Sequence, residues 1–215
     1  MSKVEAERGV VFTGGAAPAT RPASLELEGA FIVAADSGIE TALSWGVEPQ
    51  LVLGDMDSVS DLSILDRFDE GQVRRYAQEK DYTDTELALQ ELYDRGSEDI
   101  TLVGGGGGRL DHLLGIVALF DRDRHPRRWY TRDEHVECID RELVLTGAEG
   151  ETVSLFPAGR DRCRMKSEGL KWPLDSLSWI KGDAGISNVV VSQKCRILVI
   201  QGRLIMVRSL PRDLP

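Results

Sequence analysis

The sequence predicts an α/β domain with a doubly wound, mainly parallel sheet, followed by an all-β sandwich domain. In the first part of the chain, short apolar runs that end in glycine, aspartate or serine alternate with stretches of helical character. This alternation is typical of buried parallel strands that are joined by helices. From about Arg128 onward, short β-like runs are separated by glycine- and charge-bearing turns, which is typical of a sandwich.

The predicted elements follow in order along the chain. The first domain has apolar strands at residues 9–12, 31–35, 51–53 and 100–103, and helices at residues 39–45, 62–68, 83–93 and 111–120. The second domain has strands at residues 129–131, 136–139, 143–146, 152–156, 189–191, 197–200 and 204–207. We predict the domains as residues 1–133 and 134–215. In a doubly wound sheet, ligands bind beyond the carboxyl ends of the strands, so functional residues are expected in the loops that follow them.

Composition narrows the classes of partner. The 215 residues include 26 basic and 36 acidic side chains, a formal net charge of −10. This charge repels a nucleic-acid backbone, so no nucleic-acid partner is expected, whereas a small polyanion can bind beside a divalent cation and a local basic group. Three widely spaced cysteines without a C-x-x-C pair fit reduced thiols. No apolar run reaches the length of a signal peptide core or a membrane span, so we expect a cytoplasmic protein with no membrane partner.

The motif Gly54-Asp55-Met56-Asp57-Ser58 follows an apolar strand. Carboxylates at the mouth of a parallel sheet are hard oxygen ligands, the kind that hold Mg²⁺ together with substrate phosphates. The alternative is that Asp57 or Ser58 only caps the element that follows. The motif alone leaves both interpretations open.

A second acidic segment is Lys80-Asp81-Tyr82-Thr83-Asp84-Thr85-Glu86. Thr83 and Glu86 have the spacing of a capping box, which predicts a helix that starts at Thr83 with Asp84 in its first turn. The helix dipole alone favours an acid there. A lysine just upstream also suits phosphate, so Lys80 and Asp84 are candidates for a phosphate contact and a metal ligand.

A run of five glycines, residues 104–108, follows the last predicted strand of the first domain and precedes Arg109, Leu110, Asp111 and His112. Glycines let a backbone approach phosphate closely, a helix start offers free N–H groups, and arginine adds a forked donor. The segment lacks the Lys-Ser/Thr of a Walker A loop. The roles of two further residues stay open. Asp36 either caps a helix or joins the acidic residues, and His112 either takes part in proton transfer or only stabilises the loop.

Taken together, these segments resemble the thiamine pyrophosphokinase family. The matching pieces, in chain order, are Gly14-Gly15, Ala35-Asp36-Ser37-Gly38, Gly54-Asp55-Met56-Asp57-Ser58, Lys80-Asp81-Tyr82-Thr83-Asp84, Gly107-Gly108-Arg109-Leu110-Asp111-His112, Gly169-Leu170-Lys171-Trp172-Pro173-Leu174 and Gly185-Ile186-Ser187-Asn188. Each piece is weak alone, but they span nearly the whole chain in a fixed order. The chain departs from the family's usual Ala-Asp-Gly-Gly-Ala-Asn loop at Ser37 and Glu40, and it has no aromatic residue after Asn188.

The resemblance implies a homodimer with active sites at the subunit interface, and transfer of a pyrophosphoryl group from ATP to thiamine with Mg²⁺ as cofactor. It implies three sets of residues. The metal ligands would be Asp36, Asp55, Asp57 and Asp84, and the catalytic set Asp55, Asp57, Asp84 and Arg109. ATP would be bound by Lys80, Thr83, Gly107, Gly108, Arg109, Asp111 and His112, and thiamine by Ser187 and Asn188. The alternatives are a different acceptor, such as a hydroxymethylpterin, or a non-catalytic thiamine- or nucleotide-binding regulator.

Overall fold

The computed structural model describes residues 7–210, and the chain divides into two compact units. One unit runs through Leu113 and includes Trp129–Arg132, while the other comprises Leu114–Arg128 and the chain from Asp133 on. Among the described residues, no helix has the length and apolar character needed to cross a membrane.

The first unit is built on a parallel sheet. Five strands pair in the order β5-β1-β2-β3-β4, each pair parallel, and β6 lies beside β5. Because the strands run in parallel, the chain leaves each of them at the same edge of the sheet. The strands are β1 (Arg8–Thr13), β2 (Phe31–Ala35), β3 (Leu51–Gly54), β4 (Val73–Arg75), β5 (Asp99–Gly104) and β6 (Arg128–Tyr130).

Within residues 7–210 three α-helices form, each close to its predicted position: α1 (Gly38–Ser44), α2 (Asp84–Asp94) and α3 (Leu110–Leu119). Thr83 is the N-cap of α2, and both bonds of its capping box with Glu86 are present, so the predicted helix start is confirmed. The segment predicted to be helical at residues 62–68 forms a 3₁₀ helix, Leu62–Arg67, rather than an α-helix. Only Leu65 in it is buried, so little apolar surface is available to stabilise a longer helix.

The second unit is an antiparallel sandwich. Within this unit the strands pair in two layers, in the orders β12-β9-β14-β7 and β11-β10-β13-β8. Their inner faces share one core, to which β9 and β14 contribute Leu155 and Met206, and β10 and β13 contribute Met165 and Ile197. The strands are β7 (Glu134–Ile139), β8 (Glu142–Thr146), β9 (Thr152–Ala158), β10 (Cys163–Glu168), β11 (Ser178–Trp179), β12 (Gly185–Val189), β13 (Lys194–Gln201) and β14 (Arg203–Ser209).

The observed architecture confirms the predicted fold class, but the pattern missed β4, β10 and β11. In β10, buried Cys163 and Met165 alternate with exposed Arg164 and Lys166, so the strand contains no apolar run. The strand predicted at residues 189–191 lies earlier, at Gly185–Val189. The sequence concealed this strand because apolar Ile186 is exposed while polar Asn188 is buried.

Candidate active site

The turn after β2 places Asp36 at the carboxyl edge of the parallel sheet. Asp36 adopts a left-handed backbone with φ of +48°, and its N–H donates to the Leu53 carbonyl oxygen over 3.0 Å. Gly54, which ends β3, has a φ of +141°, and a Cβ there would lie 2.1 Å from Asp36 Oδ1. Glycine at position 54 is therefore required for the Asp36 carboxylate to lie where it does.

Three carboxylates converge at this edge of the sheet. Asp36 follows β2, Asp55 follows β3, and Asp84 lies in the first turn of α2. One oxygen from each lies within 4.8 Å of the other two. The N–H of Met56 donates to Asp36 Oδ1 over 3.0 Å, and Met56 also has a left-handed backbone, with φ of +65°. Backbone strain of this kind is concentrated at functional sites.

Lys80 supplies the positive charge beside these carboxylates. Its Nζ forms ion pairs with Asp84 Oδ1 at 2.9 Å and with Asp55 Oδ2 at 3.4 Å, and all three side chains are largely buried. Burial acts against the charge, yet the contacts with Asp84 and Asp55 raise the pKa of Lys80. One ammonium group against three carboxylates leaves the group negative.

The pKa of Asp36 shows the effect of this excess charge. Burial, the hydrogen bond with Asp84 and repulsion from Asp84 and Asp55 raise the pKa of Asp36 to about 7, although the Met56 N–H acts to lower it. Burial also acts to raise the pKa of Asp55, but the Asp57 N–H and Lys80 outweigh it, so that this pKa is lowered. Three hard oxygen donors that repel one another fit a divalent cation such as Mg²⁺.

Asp57, the fourth predicted metal ligand, lies apart from the group of three. Its side chain is exposed, and its Oδ2 accepts a hydrogen bond of 2.8 Å from Gln78 Nε2. Its N–H donates to Asp55 Oδ1 over 3.2 Å. The structure therefore brings together Asp36, Asp55 and Asp84 and directs the Asp57 carboxylate to a neighbour that the sequence did not identify.

The glycine run lies against the turn after β1. A Cβ on Gly104 would lie 2.2 Å from the Thr13 carbonyl oxygen, and the Gly105 N–H donates to the Gly14 carbonyl oxygen over 2.8 Å. Gly107 and Gly108 both have positive φ, 67° and 70°, and are exposed. This part of the loop therefore presents an accessible backbone that only glycine adopts without strain.

Arg109 follows this loop and pairs with Asp111. Its Nε and Nη2 donate to Asp111 Oδ1 and Oδ2 over 3.1 and 2.6 Å, and the two side chains are 70% and 60% exposed. The same Oδ1 accepts the His112 N–H over 3.1 Å. Exposed pairs contribute little stability, so the Arg109 guanidinium can leave Asp111 for an anionic ligand at low cost.

Ser187 and Asn188 lie in β12 of the second unit. Ser187 is exposed and left-handed, with φ of +59°, and its N–H donates to Ser154 Oγ over 3.1 Å. Asn188 is buried and forms two hydrogen bonds with the backbone of Trp172. Its Nδ2 donates to the Trp172 carbonyl oxygen over 2.8 Å, and its Oδ1 accepts the Trp172 N–H over 3.2 Å. Asn188 thus organises the loop that carries Trp172, a residue that is 52% exposed.

A second group of ligand-type atoms, in His125, Cys138 and Asp140, also lies within 4.8 Å. It differs electrostatically from the first group. The Asp140 carboxylate is bound by the guanidinium groups of Arg127 and Arg203, so its charge is already neutralised by cations. We assign this group to the structure of the second unit rather than to a metal.

The fold and the acidic group define a class of protein: a two-domain protein with a candidate cation site at the carboxyl edge of a parallel sheet and, later in the chain, an antiparallel sandwich. The chain belongs to the thiamine pyrophosphokinase family. Residues 24–127 match the family model described as thiamin pyrophosphokinase, catalytic domain, and residues 138–204 match the one described as thiamin pyrophosphokinase, vitamin B1 binding domain. The resemblance drawn from the motifs is therefore confirmed.

Individual relatives agree with this assignment. The chain is 28% identical over 185 residues to thiamine pyrophosphokinase of Bacillus subtilis (strain 168), covering 82% of this chain and 86% of that protein. Crystal structures of the thiamine pyrophosphokinases from Bacillus subtilis and Geobacillus thermodenitrificans superpose with TM-scores of 0.77 and 0.69, at 24% and 26% identity. These matches cover 95% and 96% of this chain, and 99% and 98% of those chains. The Candida albicans enzyme shares the fold at 14% identity, with a TM-score of 0.65 over 94% of this chain and 90% of that one.

Proposed function

We propose that this chain is a thiamine pyrophosphokinase, which transfers the pyrophosphoryl group of ATP to the hydroxyl of thiamine and releases thiamine diphosphate and AMP. The observation that carries the proposal is the convergence of Asp36, Asp55 and Asp84, two of which pair with Lys80, in a chain that belongs to this family. Phosphoryl-type transfer depends mainly on positioning and on neutralisation of charge, and this group supplies both.

The acidic residues would hold Mg²⁺. Asp36, Asp55 and Asp84 offer converging oxygens, and Asp57 becomes a fourth ligand if its carboxylate leaves Gln78. A Mg²⁺ ion held by these residues would supply the positive charge that neutralises the phosphate groups and the departing AMP. Lys80 would orient the triphosphate, since its ammonium group already pairs with the carboxylates of Asp55 and Asp84.

ATP would extend from Lys80 and Thr83 to the glycine loop. Gly107 and Gly108 present an exposed backbone, and N–H groups at such a loop suit phosphate oxygens. Arg109 exchanges its exposed Asp111 partner for phosphate and completes the catalytic set with Asp55, Asp57 and Asp84. Asp111 and His112, in the first turn of α3, would complete the nucleotide-binding set.

The second unit would contribute the thiamine site, with Ser187 as the contact and Asn188 as the residue that fixes the Trp172 loop. We propose a homodimer in which each site is completed by the partner subunit. Cys138, Cys163 and Cys195 are free and buried, which fits a reducing compartment such as the cytoplasm.

Turnover tests the reaction directly. The purified chain is incubated with ATP, Mg²⁺ and thiamine, and AMP is measured, with hydroxymethylpterin as the competing acceptor and EDTA as the metal-free arm. We expect AMP only with thiamine and Mg²⁺. AMP formed only with the pterin would refute thiamine as the acceptor, and calorimetric binding of thiamine without any AMP would favour a non-catalytic regulator.

Three variants test the assignment of the acidic residues and the dimer. Asp57→Asn removes one ligand charge at constant volume, and we expect it to abolish turnover with an unchanged urea unfolding curve; wild-type rates would remove Asp57 from the metal site. Asp84→Asn and Ser187→Ala are then mixed at limiting thiamine. If sites are shared between subunits, random pairing restores about a quarter of the wild-type sites. No recovery after subunit exchange would refute shared sites.

A further inference from the structure

The start of α1 has the spacing of a capping box that does not close on itself. Ser37 is the N-cap and Glu40 occupies the third helical position, the S-x-x-E spacing in which each side chain bonds to the other residue's N–H. Ser37 makes no such cap bond. In α2, by contrast, Thr83 and Glu86 have the same spacing and form both bonds.

Both halves of the α1 motif bond instead to the segment after Asp57. The Ser37 N–H donates to Ser58 Oγ over 3.3 Å, and Ser58 Oγ donates to Ser37 Oγ over 3.2 Å. One oxygen of Glu40, Oε1, accepts both the N–H and the hydroxyl of Ser60, over 2.6 and 2.5 Å. We name Ser37, Glu40, Ser58 and Ser60 the inter-loop clasp.

The clasp joins the two loops that carry the acidic group. Ser37 directly follows Asp36, and Ser58 directly follows Asp57. Just before these attachments, Asp36 and Met56 have left-handed backbones, a conformation that persists only where the surrounding structure imposes it. Hydrogen bonds to a carboxylate are stronger than neutral ones, so the Glu40 bonds are the strongest part of the clasp.

We propose that Glu40 is a positioning residue for the cation site: it fastens the loop of Asp55 and Asp57 to the turn of Asp36 and thereby sets the affinity for Mg²⁺. This rests on the proposed function only in assuming that the acidic group binds the metal. Glu40 does not belong to the group of converging carboxylates. It acts through Ser60 and has no direct contact with substrate in this assignment.

Glu40→Gln and Glu40→Ala form a matched pair for the test. Both remove one negative charge, so they alter the long-range field equally, but only glutamine keeps an acceptor oxygen at the right distance. In steady-state AMP formation, we expect Glu40→Ala to raise the half-saturating Mg²⁺ concentration about tenfold, as loss of two net hydrogen bonds implies. Glu40→Gln should stay within about threefold of the wild type, and the thiamine KM should be unchanged in both.

Calorimetric titration of the metal separates the clasp from the proposed reaction. Mn²⁺ binding needs no turnover, so its Kd reports the effect of the clasp even if the protein makes no AMP. Absence of AMP would count against the proposed function alone. Equal Kd values for Mn²⁺ in the wild type and Glu40→Ala, or equal weakening by Glu40→Gln and Glu40→Ala, would overturn the positioning role. If Glu40→Ala does not fold, Ser60→Ala tests the proposal instead. This variant loses the hydroxyl bond to Glu40 and keeps the N–H bond, so it should weaken Mn²⁺ binding about threefold. An unchanged Kd there would overturn the proposal.

Discussion

Replacing Asp36 with asparagine should stabilise the metal-free protein while removing its activity. Asparagine has the shape of a protonated aspartate, tolerates the left-handed backbone found at this position and keeps the acceptor for the Met56 N–H, which lies 3.0 Å away. It also keeps a donor for Asp84. The substitution therefore removes the charge of Asp36 and leaves its local contacts in place.

The pKa of Asp36 sets the size of the effect. Burial, with the Asp84 hydrogen bond and repulsion from Asp84 and Asp55, raises this pKa from 3.8 to about 7. The folded chain therefore binds the proton more tightly than the unfolded chain, so stability is lost as the pH rises from about 4 to about 7. At about 1.4 kcal/mol per tenfold change in proton affinity, the upper bound is on the order of 4 kcal/mol. Asp36 is partly exposed, and solvent screening reduces the expected value to about 1–2 kcal/mol.

Urea unfolding in EDTA measures this difference. At pH 8, we expect the free energy of unfolding of Asp36→Asn to exceed that of the wild type by about 1–2 kcal/mol. At pH 4, the two free energies of unfolding should differ by less than about 0.5 kcal/mol. Saturating Mg²⁺ at pH 8 should stabilise the wild type and leave the variant unchanged. A variant that is less stable than the wild type at pH 8 without metal, or a difference that does not change with pH, would refute the reasoning.

Three further substitutions test neighbouring parts of the site. Gly54→Ala places a Cβ 2.1 Å from Asp36 Oδ1, so AMP formation should be lost, and retained Mg²⁺-dependent turnover would show that Asp36 can move freely. Thr83→Ala removes the N-cap of α2 and should lower the free energy of unfolding by about 1 kcal/mol in urea; an unchanged midpoint would mean that Glu86 alone holds the helix start. Lys80→Met leaves Asp84 and Asp55 without their ammonium partner, so the ATP KM should rise about tenfold or more, and an unchanged KM would exclude a phosphate contact.

Much of the parallel sheet could be predicted because its strands are buried on both faces. Such strands form continuous apolar runs, and the predicted runs at residues 31–35 and 100–103 correspond to β2 and β5. The start of α2 could be predicted for a different reason: the capping box of Thr83 is a local interaction. β10 escaped detection because half of its residues face solvent, and its pairing partners are distant in sequence.

The same division between local and distant interactions applies to the site. That Asp36 and Asp55 lie close together could be predicted, because each directly follows a strand of the parallel sheet and β2 and β3 are neighbours. The direction of the Asp57 side chain could not, because it depends on Gln78, which is 21 residues away. The partner of Glu40 was hidden for a similar reason: its spacing from Ser37 indicates a local capping box, while Ser60, 20 residues on, takes the bond.

Two of the three positions at which the chain departs from the family's usual Ala-Asp-Gly-Gly-Ala-Asn loop, Ser37 and Glu40, belong to the inter-loop clasp. A glycine at position 37 has no hydroxyl for Ser58, and an asparagine at position 40 is one methylene shorter than glutamate, about 1.5 Å of reach. The Ser60 bonds of 2.6 and 2.5 Å leave no slack for that loss. Glu40→Asn alone should therefore raise the half-saturating Mg²⁺ concentration as much as Glu40→Ala does, although asparagine retains an acceptor oxygen. An Asn variant that matches Glu40→Gln in Mg²⁺ half-saturation would show that the loop follows the shorter side chain, and that the length of Glu40 is not what sets the site.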